Sequence, residues 1–520
     1  MIRTLLLAAL LVPFVAGVCY PGDAGAGGVE ERVSQYRGAI ERAGSAKEEA
    51  LLRKELGELY VSEDMLDSAA DEFMRAMALY DGFTEDEKLG MAVYVSWADR
   101  LEDAAGVLRG MLSANPGNLE ARTHLARVLS WQGRYDEAIE EADRVLSREP
   151  RDAKALQVKA DSLRWRGDPG AAMPLYQEIL KSGDDFDARL GLSHGMLETG
   201  DRAGARGQLA LLEPRFPYQE RELRKLRRAL ARSGPKAEAG ASYYDDTDEN
   251  RRYRYEALLG FQAGAWEADL RYRHTEARDP SRSNSADDVS AAAHARLTPA
   301  LGAGAGVGVS SLGDGDTAGY LTGFANVDLA IPGGTVGAGL SRETLSDTAE
   351  LIENRIRFTA LSAHILRSLT ARWSARASYA YRDYSDDNHS HDAGLSTWYA
   401  VYDRGPQVNL GYRFNYRDFQ RQSGGGYFDP DDFVSNQLYV SFYHETGEVY
   451  LYLEPYAGFQ SFTRSGADTD DTIWGGYASF GLNLSDRAAL ELNAEGGNFA
   501  ATTAAGFEYY MIGARITGYF

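Results

Sequence analysis

Two hydrophobic periods divide the chain. From about residue 48 to 215 small and apolar residues recur at helical spacing inside a repeat of 34: Ala92, Ala126 and Ala160 form one set, and Ala104, Ala138 and Ala172 form a second set 12 positions later. Pro116 and Pro150 keep the same interval, and weaker copies flank the core at Gly57 with Ala69 and at Ser193 with Ala205. This is the pattern of tetratricopeptide hairpins, whose two antiparallel helices cross where only small residues fit and whose second helix ends at proline. About five such repeats are expected, with an amphipathic segment over 29–43 and a basic helix over 218–232 as caps. A solenoid of this kind buries its core between neighbouring repeats and leaves a binding face free.

After the Gly-Pro-Lys break at 234–236 the period becomes 2. Trp266, Ala268, Leu270 and Tyr272 alternate with Glu267, Asp269, Arg271 and Arg273, and Val408, Leu410, Tyr412, Phe414 and Tyr416 alternate with Asn409, Gly411, Arg413, Asn415 and Arg417. The last strand puts Tyr510, Ile512, Ala514, Ile516 and Phe520 on one side. One apolar and one polar face repeated in this way is what a bilayer imposes on a closed barrel. Short breaks near 264, 298–300, 332–334, 367–368, 403–405, 445–447 and 485–487 alternate with polar segments at 277–287, 383–391, 418–432 and 461–471. With a first strand near 239–245 this predicts a transmembrane antiparallel β-barrel of about 16 strands, both its ends periplasmic.

The same parity selects residues that face the lumen. On the strand predicted over 448–456 the lipid side is Val449, Leu451 and Leu453, which turns Glu448, Tyr450, Tyr452, Glu454 and Tyr456 inward. Tyr477, Ser479 and Asn483 follow on the next strand, and Glu491, Asn493 and Glu495 on the one after, opposite Leu490, Leu492 and Ala494. Glu267, Asp269, Arg271 and Arg273 are pore-lining candidates on the same ground. Aromatic faces stack on sugar rings and carboxylates accept hydrogen bonds from hydroxyls or pair with ammonium groups. The competing role for any one of them is an ion pair that braces the barrel.

The chain begins with a basic residue, Arg3, and an apolar run over 5–18, followed by small residues at 24–26. That is the layout of a secretory signal peptide, too short to span a bilayer as a helix. Cys19, the one cysteine, leaves no intramolecular disulfide; it is removed with the signal or, alternatively, lipidated. Net charge is −22, of which −15 falls after residue 235 (23 basic, 38 acidic), and lysine is absent beyond Lys236. This balance argues against nucleic acid and anionic lipid as partners. Of 31 tyrosines, 23 follow residue 236, which suits the interfacial girdles of a barrel.

No phosphate-cradling glycine loop, metal-ligand spacing or cofactor motif is legible, so no cofactor or metal is expected. Ser362 and His364 share one strand side and are the one pair that a lipid-cleaving barrel enzyme would use, and the acidic loops 383–392 and 467–471 are the places where calcium would be held. Neither spacing is specific, and the expectation is a protein without catalytic activity.

The segment Leu129-Ser130-Trp131-Gln132-Gly133-Arg134-Tyr135-Asp136-Glu137-Ala138 and the loop Gly426-Tyr427-Phe428-Asp429-Pro430, within a signal, solenoid and barrel order, resemble the outer-membrane porins of exopolysaccharide secretion. These include the export porin of poly-N-acetylglucosamine and the outer-membrane component of cellulose secretion. The repeat segment also resembles the YaiO type of outer-membrane protein. The resemblance implies a signal peptide over 1–26, a periplasmic repeat domain over 27–235 and an outer-membrane barrel over 236–520 in a Gram-negative bacterium. It implies an exopolysaccharide chain as cargo and polysaccharide-modifying or synthase-complex proteins as partners of the repeats. By the same resemblance, outer-membrane lipid is expected around the barrel, and the barrel-insertion machinery is expected to read the terminal aromatic, Phe520. The rival reading is an outer-membrane-anchored repeat scaffold for protein docking.

Overall fold

The computed structural model describes residues 26–520 except 264–265, 299, 314–318, 371, 403–404 and 500–507. The expected signal peptide with Cys19, and parts of the short breaks near 264, 299 and 403–404, lie outside the described residues. The chain divides into two compact units between Gly191 and Leu192, inside a helix. Each is described separately.

Among the described residues twelve helices precede the first strand: α1 (Ala26–Glu41), α2 (Ala46–Ser62), α3 (Leu66–Leu79), α4 (Glu85–Trp97), α5 (Leu101–Ala114), α6 (Leu119–Trp131), α7 (Tyr135–Leu146), α8 (Ala153–Trp165), α9 (Pro169–Ser182), α10 (Phe186–Glu198), α11 (Arg202–Leu209) and α12 (Pro217–Arg232). From α2 to α9 they pair as antiparallel hairpins, forming an all-α tetratricopeptide solenoid. First helices start on side-chain caps: Ser45, Thr84, Asn118 and Asp152 each accept a backbone N–H three residues on, which satisfies an otherwise orphaned donor. Ala92, Ala104, Ala126, Ala138, Ala160 and Ala172 are fully buried at the helix crossings. At the weaker copy, Gly57 leaves room for the Phe73 ring, which a Cβ there would approach to 2.5 Å.

The first unit also buries ionisable groups. Burial and the neighbouring Arg127 push the His124 imidazole down to about 4. Burial likewise pushes the Asp161 carboxyl up, although Tyr176 Oη donates to it at 2.7 Å, and pushes Asp187 up. Because His124 is neutral in the fold but titrates near 6.5 when unfolded, its contribution favours folding above pH 6.5 and is lost as pH falls toward 4. The two carboxyls act in the opposite sense. The expected result is a difference between wild type and His124→Gln that grows between pH 7 and pH 4.5 and reaches up to about 2 kcal/mol, allowing for the residue's partial exposure. Thermal melts of the helical signal at each pH measure it, and parallel pH curves for the two proteins would contradict it.

The second unit holds a closed antiparallel β-barrel of 16 strands in which every neighbour in sequence pairs and β1 closes on β16. They are β1 (Lys236–Asp246), β2 (Arg251–Ala263), β3 (Trp266–Arg278), β4 (Ser283–Arg296), β5 (Leu301–Leu312), β6 (Tyr320–Ile331), β7 (Gly334–Thr344), β8 (Arg357–Ser368), β9 (Trp373–Tyr384), β10 (His389–Tyr402), β11 (Gln407–Phe419), β12 (Asp431–Glu445), β13 (Val449–Arg464), β14 (Ala467–Ser485), β15 (Ala488–Gly497) and β16 (Tyr509–Tyr519). Among the described residues no helix is long and apolar enough to cross a membrane; a barrel crosses with strands instead.

Register can be followed from strand to strand around the ring and returns to the same face. The exposed large apolar side chains, among them Leu259, Leu270, Val307, Leu361, Leu438 and Ile512, all lie on one face. The fully buried polar ones, Thr275, Ser310, Ser390, Ser435 and Gln437, all lie on the other, which is the interior. Aromatics band the outer face at both ends: Trp266, Trp373 and Tyr399 near one rim and Tyr253, Tyr272, Tyr379 and Trp474 near the other. A large closed barrel with such girdles and a repeat unit is consistent with an outer-membrane protein.

Connection lengths depart from expectation. The segments 277–287, 383–391 and 461–471 are mostly strand, with turns confined to 279–282, 385–388 and 465–466. Polar residues continue the ladder here because strand pairing uses backbone groups, whatever the side chains. The segment at 418–432 does contain a long loop, 420–430. A second one, 345–356, went unforeseen and carries a helix of its own, α13 (Ala349–Glu353). The basic helix α12, expected as a solenoid cap, packs on α11. Its Arg228 donates to the Gly447 carbonyl at 2.5 Å and Arg232 bonds Asn483, tying it to the β12–β13 turn and to the end of β14 at one barrel rim.

Candidate functional site

The lumen-lining candidates fall in one sector of the interior. Pairing aligns Tyr450, Gly481, Glu491, Arg515, Gly240, Glu256 and Arg273 in a single row across β13, β14, β15, β16, β1, β2 and β3. The next rows align Tyr452 with Ser479 and Asn493, and Glu454 with Tyr477 and Glu495. Tyrosines there lie over glycines of the adjacent strand: a Cβ on Gly481 would meet the Tyr450 ring at 1.9 Å, and one on Gly475 would meet Tyr456 Oη at 2.4 Å. Removing the side chain from one strand gives the neighbouring ring a shelf on the wall.

The wall carboxylates of β2, β13 and β15 have partners. Glu491 accepts from Tyr450 Oη at 2.5 Å and Glu495 from Tyr509 Oη at 2.7 Å. Glu454 accepts from Arg413 at 2.8 Å and also binds Tyr452 Oη, while the Arg413 guanidinium lies 4.8 Å from the centroid of the Tyr439 ring. Arg273 pairs with Glu256 at 2.7 Å. Glu267 and Arg271 are exposed and Asp269 is half-buried on the same face. Glu448 is different: β13 begins at Val449, and Glu448 stands in the exposed preceding turn, 3.5 Å from Arg228 of α12. It belongs to the rim, because the hairpin turn takes it out of the strand. Glu256, Glu454, Glu491 and Glu495 thus take part in bracing contacts, which leave the neighbouring rings on the inner face.

The sequence reading left out several interior residues. Asp392 lies between Arg382 and Arg417, bordering a cavity of about 310 Å³ that Ser362, His364, Arg376 and Asn415 also line. Arg413, Arg417 and Arg515 occupy polar-side positions in their strands, so the parity that selected the glutamates would have selected them. Ser362 and His364 do share the inner face but engage different groups: Ser362 Oγ donates to the Gly339 carbonyl at 3.4 Å, and His364 Nε2 lies 3.4 Å from Asp328. Among the described residues no group of three or more His, Cys, Asp or Glu side chains is placed to hold a metal ion.

One end of the lumen is crossed by the 345–356 segment, which leaves β7 and returns into β8. Thr348 caps its short helix by accepting from Leu351 N at 3.2 Å. On one side Ala349 and Ile352 pack on Ala277, Ala286 and Leu312 of β3, β4 and β5. On the other, Leu345, Leu351 and Ile356 pack with Tyr384, Phe419 and Tyr427. Asp347 binds Arg252 and Arg254 of β2, and Arg282 binds Glu350 and Glu353 at 3.3 and 2.9 Å. The 420–430 loop joins it: Asn354 donates to the Gly425 carbonyl at 3.1 Å, and Phe428 packs on Phe433 and Phe462. The segment is thus a strap across the mouth, anchored by apolar contacts on both flanks and by ion pairs on the β2–β4 side.

Phe520, the proposed assembly signal, is 70% exposed, and its backbone N–H donates to the Pro235 carbonyl at 2.8 Å, beside the β1–β16 closure.

Comparison with known proteins supports the repeat. A tetratricopeptide-repeat family model matches residues 98–161. No curated protein matches. Among solved structures, a bacterial polysaccharide outer membrane secretin aligns at 12% identity over 56% of this chain and 99% of that one, with a TM-score of 0.46. CdiB from Acinetobacter baumannii aligns at 10% identity over 54% of this chain and 60% of that one, with a TM-score of 0.36. YrrB, a tetratricopeptide-repeat protein with an unusual peptide-binding site, aligns at 20% identity over 32% of this chain and 84% of that one, with a TM-score of 0.27.

Proposed function

We propose that this chain is an outer-membrane porin that exports an exopolysaccharide, with its repeat unit in the periplasm binding the polymer or its modifying enzymes. The observation that carries the reading is the inner sector of β13–β3, where shelved tyrosines and hydrogen-bonded carboxylates form a continuous polar and aromatic wall. Rings of this kind stack on pyranose faces, and carboxylate edges receive hydroxyls or ammonium groups as the chain slides past. A barrel serving only as a membrane anchor for a docking scaffold has no use for such a wall. The synthase at the inner membrane supplies the driving force, and Phe520 serves insertion.

Substitution separates lining from bracing. In Glu454→Gln/Glu491→Gln/Glu495→Gln the amide oxygens still accept from Tyr450, Tyr452 and Tyr509, so the barrel keeps its heat-modifiable migration and its yield. Export of a cationic or hydroxyl-rich glycan falls several-fold because the charge that attracts it is gone, and polymer collects in the periplasm. Quantifying surface and periplasmic polysaccharide checks this. Normal export from a folded triple variant would remove the wall from the mechanism.

A further inference from the structure

Three tryptophans end the first helices of successive repeats: Trp97 closes α4, Trp131 closes α6 and Trp165 closes α8. Their spacing is 34 residues, the period of the repeat, and they are 55%, 41% and 42% exposed. The core does not require them, since buried alanines and leucines of the same helices fill it: Leu89 and Ala92, Leu125 and Leu129, Ala160 and Leu163. An indole left in water at one register position in three consecutive repeats forms a row.

The row is closely spaced and partly pre-ordered. First helices pack directly on one another, α4 on α6 and α6 on α8, and Ser162 Oγ of α8 donates to Ser130 Oγ of α6 at 2.8 Å beside the row. Neighbouring packed helices stand about 10 Å apart, so successive indoles recur at close to the length of a disaccharide in an extended glycan. Tyr94 meets the Trp97 ring edge-on at 5.2 Å, and the Arg164 guanidinium lies 5.7 Å from the Trp165 ring centroid, which restricts both rings. Each indole is followed by a polar turn, such as Asp99-Arg100 and Gly133-Arg134, rather than by a continuous apolar patch. Beside Trp131, neither the amide nitrogen nor the oxygen of Gln132 has a hydrogen-bond partner.

We infer that Trp97, Trp131 and Trp165 form a stacking ladder for an extended glycan, one disaccharide to each rung. A periodic row of identical rings fits a periodic ligand, whereas a folded protein surface offers no reason for three equal contacts at equal intervals. The inference rests on the export reading and gives it a holding site upstream of the barrel.

The test is calorimetric titration of the full chain in nanodiscs with β-1,4-linked glucose and N-acetylglucosamine oligomers of increasing length. Affinity should climb with length up to about six sugars, as successive rungs engage. Trp131→Ala, which removes the central rung from an exposed position, should weaken the hexamer about tenfold and flatten the length dependence, while Trp131→Tyr restores most of it. The helical signal of both variants should match wild type. Length-independent binding, no binding of either series, or equal affinity in Trp131→Ala would overturn the ladder. Oligomer binding that is intact in a chain whose deletion leaves surface polysaccharide unchanged would overturn export and retain the ladder. Normal export by a ladder variant that no longer binds would do the reverse for the ladder's role.

Discussion

Replacing residues 346–355 by a short Gly-Ser linker should raise single-channel conductance in planar bilayers by about an order of magnitude, and should make cells carrying the variant sensitive to bulky antibiotics. The strap crosses the mouth with Leu351, Ile352 and Ile356 packed against the wall on its two flanks, and small solutes pass a pore according to its narrowest section. The barrel itself should survive, because its strands are held by an unbroken ring of ladders that includes β1 with β16 and does not use the strap. Heat-modifiable migration of the variant verifies that. A milder change, Asp347→Asn with Glu350→Gln and Glu353→Gln, weakens the ion pairs to Arg252, Arg254 and Arg282 and leaves the apolar contacts. It should produce brief openings of the same size rather than a permanently wide channel. Wild-type conductance in the linker variant would show that the strap does not limit the passage.

The second large effect is expected in the repeat unit. Phe73 is 1% exposed, its ring lies against Gly57 and it stacks with Tyr94 at 5.9 Å, bridging α2, α3 and α4. Phe73→Ala removes that ring and leaves a void that the backbone at Gly57 has no side chain to fill, which should cost about 3–5 kcal/mol. In a solenoid each repeat is supported only by its neighbours, so the loss should unfold the first repeats ahead of the rest. Thermal melts followed by circular dichroism should show an early helical transition while the β signal stays unchanged. A single unshifted helical transition would mean that the first repeat is held by something other than this ring.

Much of this architecture was legible because both periods are consequences of burial. Alanine at 34-residue intervals marks helix crossings, and alternation marks a sheet with lipid on one side, so the solenoid and the number of strands follow from patterns long enough to count. The inward set rests on strand parity, which does not apply at Glu448, where a hairpin turn rather than the strand decides the environment. The strap was illegible for the opposite reason. Leu345, Leu351, Ile352 and Ile356 carry no period over so short a connection, and their partners, from Ala277 to Tyr427, lie on several strands. The expected loops at 383–391 and 461–471 failed because polarity reports contact with water, and strands that continue beyond the bilayer meet water on their outer face too. The tryptophan row, by contrast, is as periodic as the alanines; reading for core residues passed over it because it is exposed.

The strap has a mechanical consequence. A ring of strands resists changes in circumference, since each ladder would have to lengthen, but it flattens easily into an ellipse because bending is soft. A tie held by β2 to β5 on one flank and by β9 and β11 on the other spans about half of the ring, and it fixes that width at that rim. Lateral pressure from the bilayer would then be resisted along that direction and absorbed along the other, so the sector that β13 to β16 contribute is where the rim can yield to a passing chain.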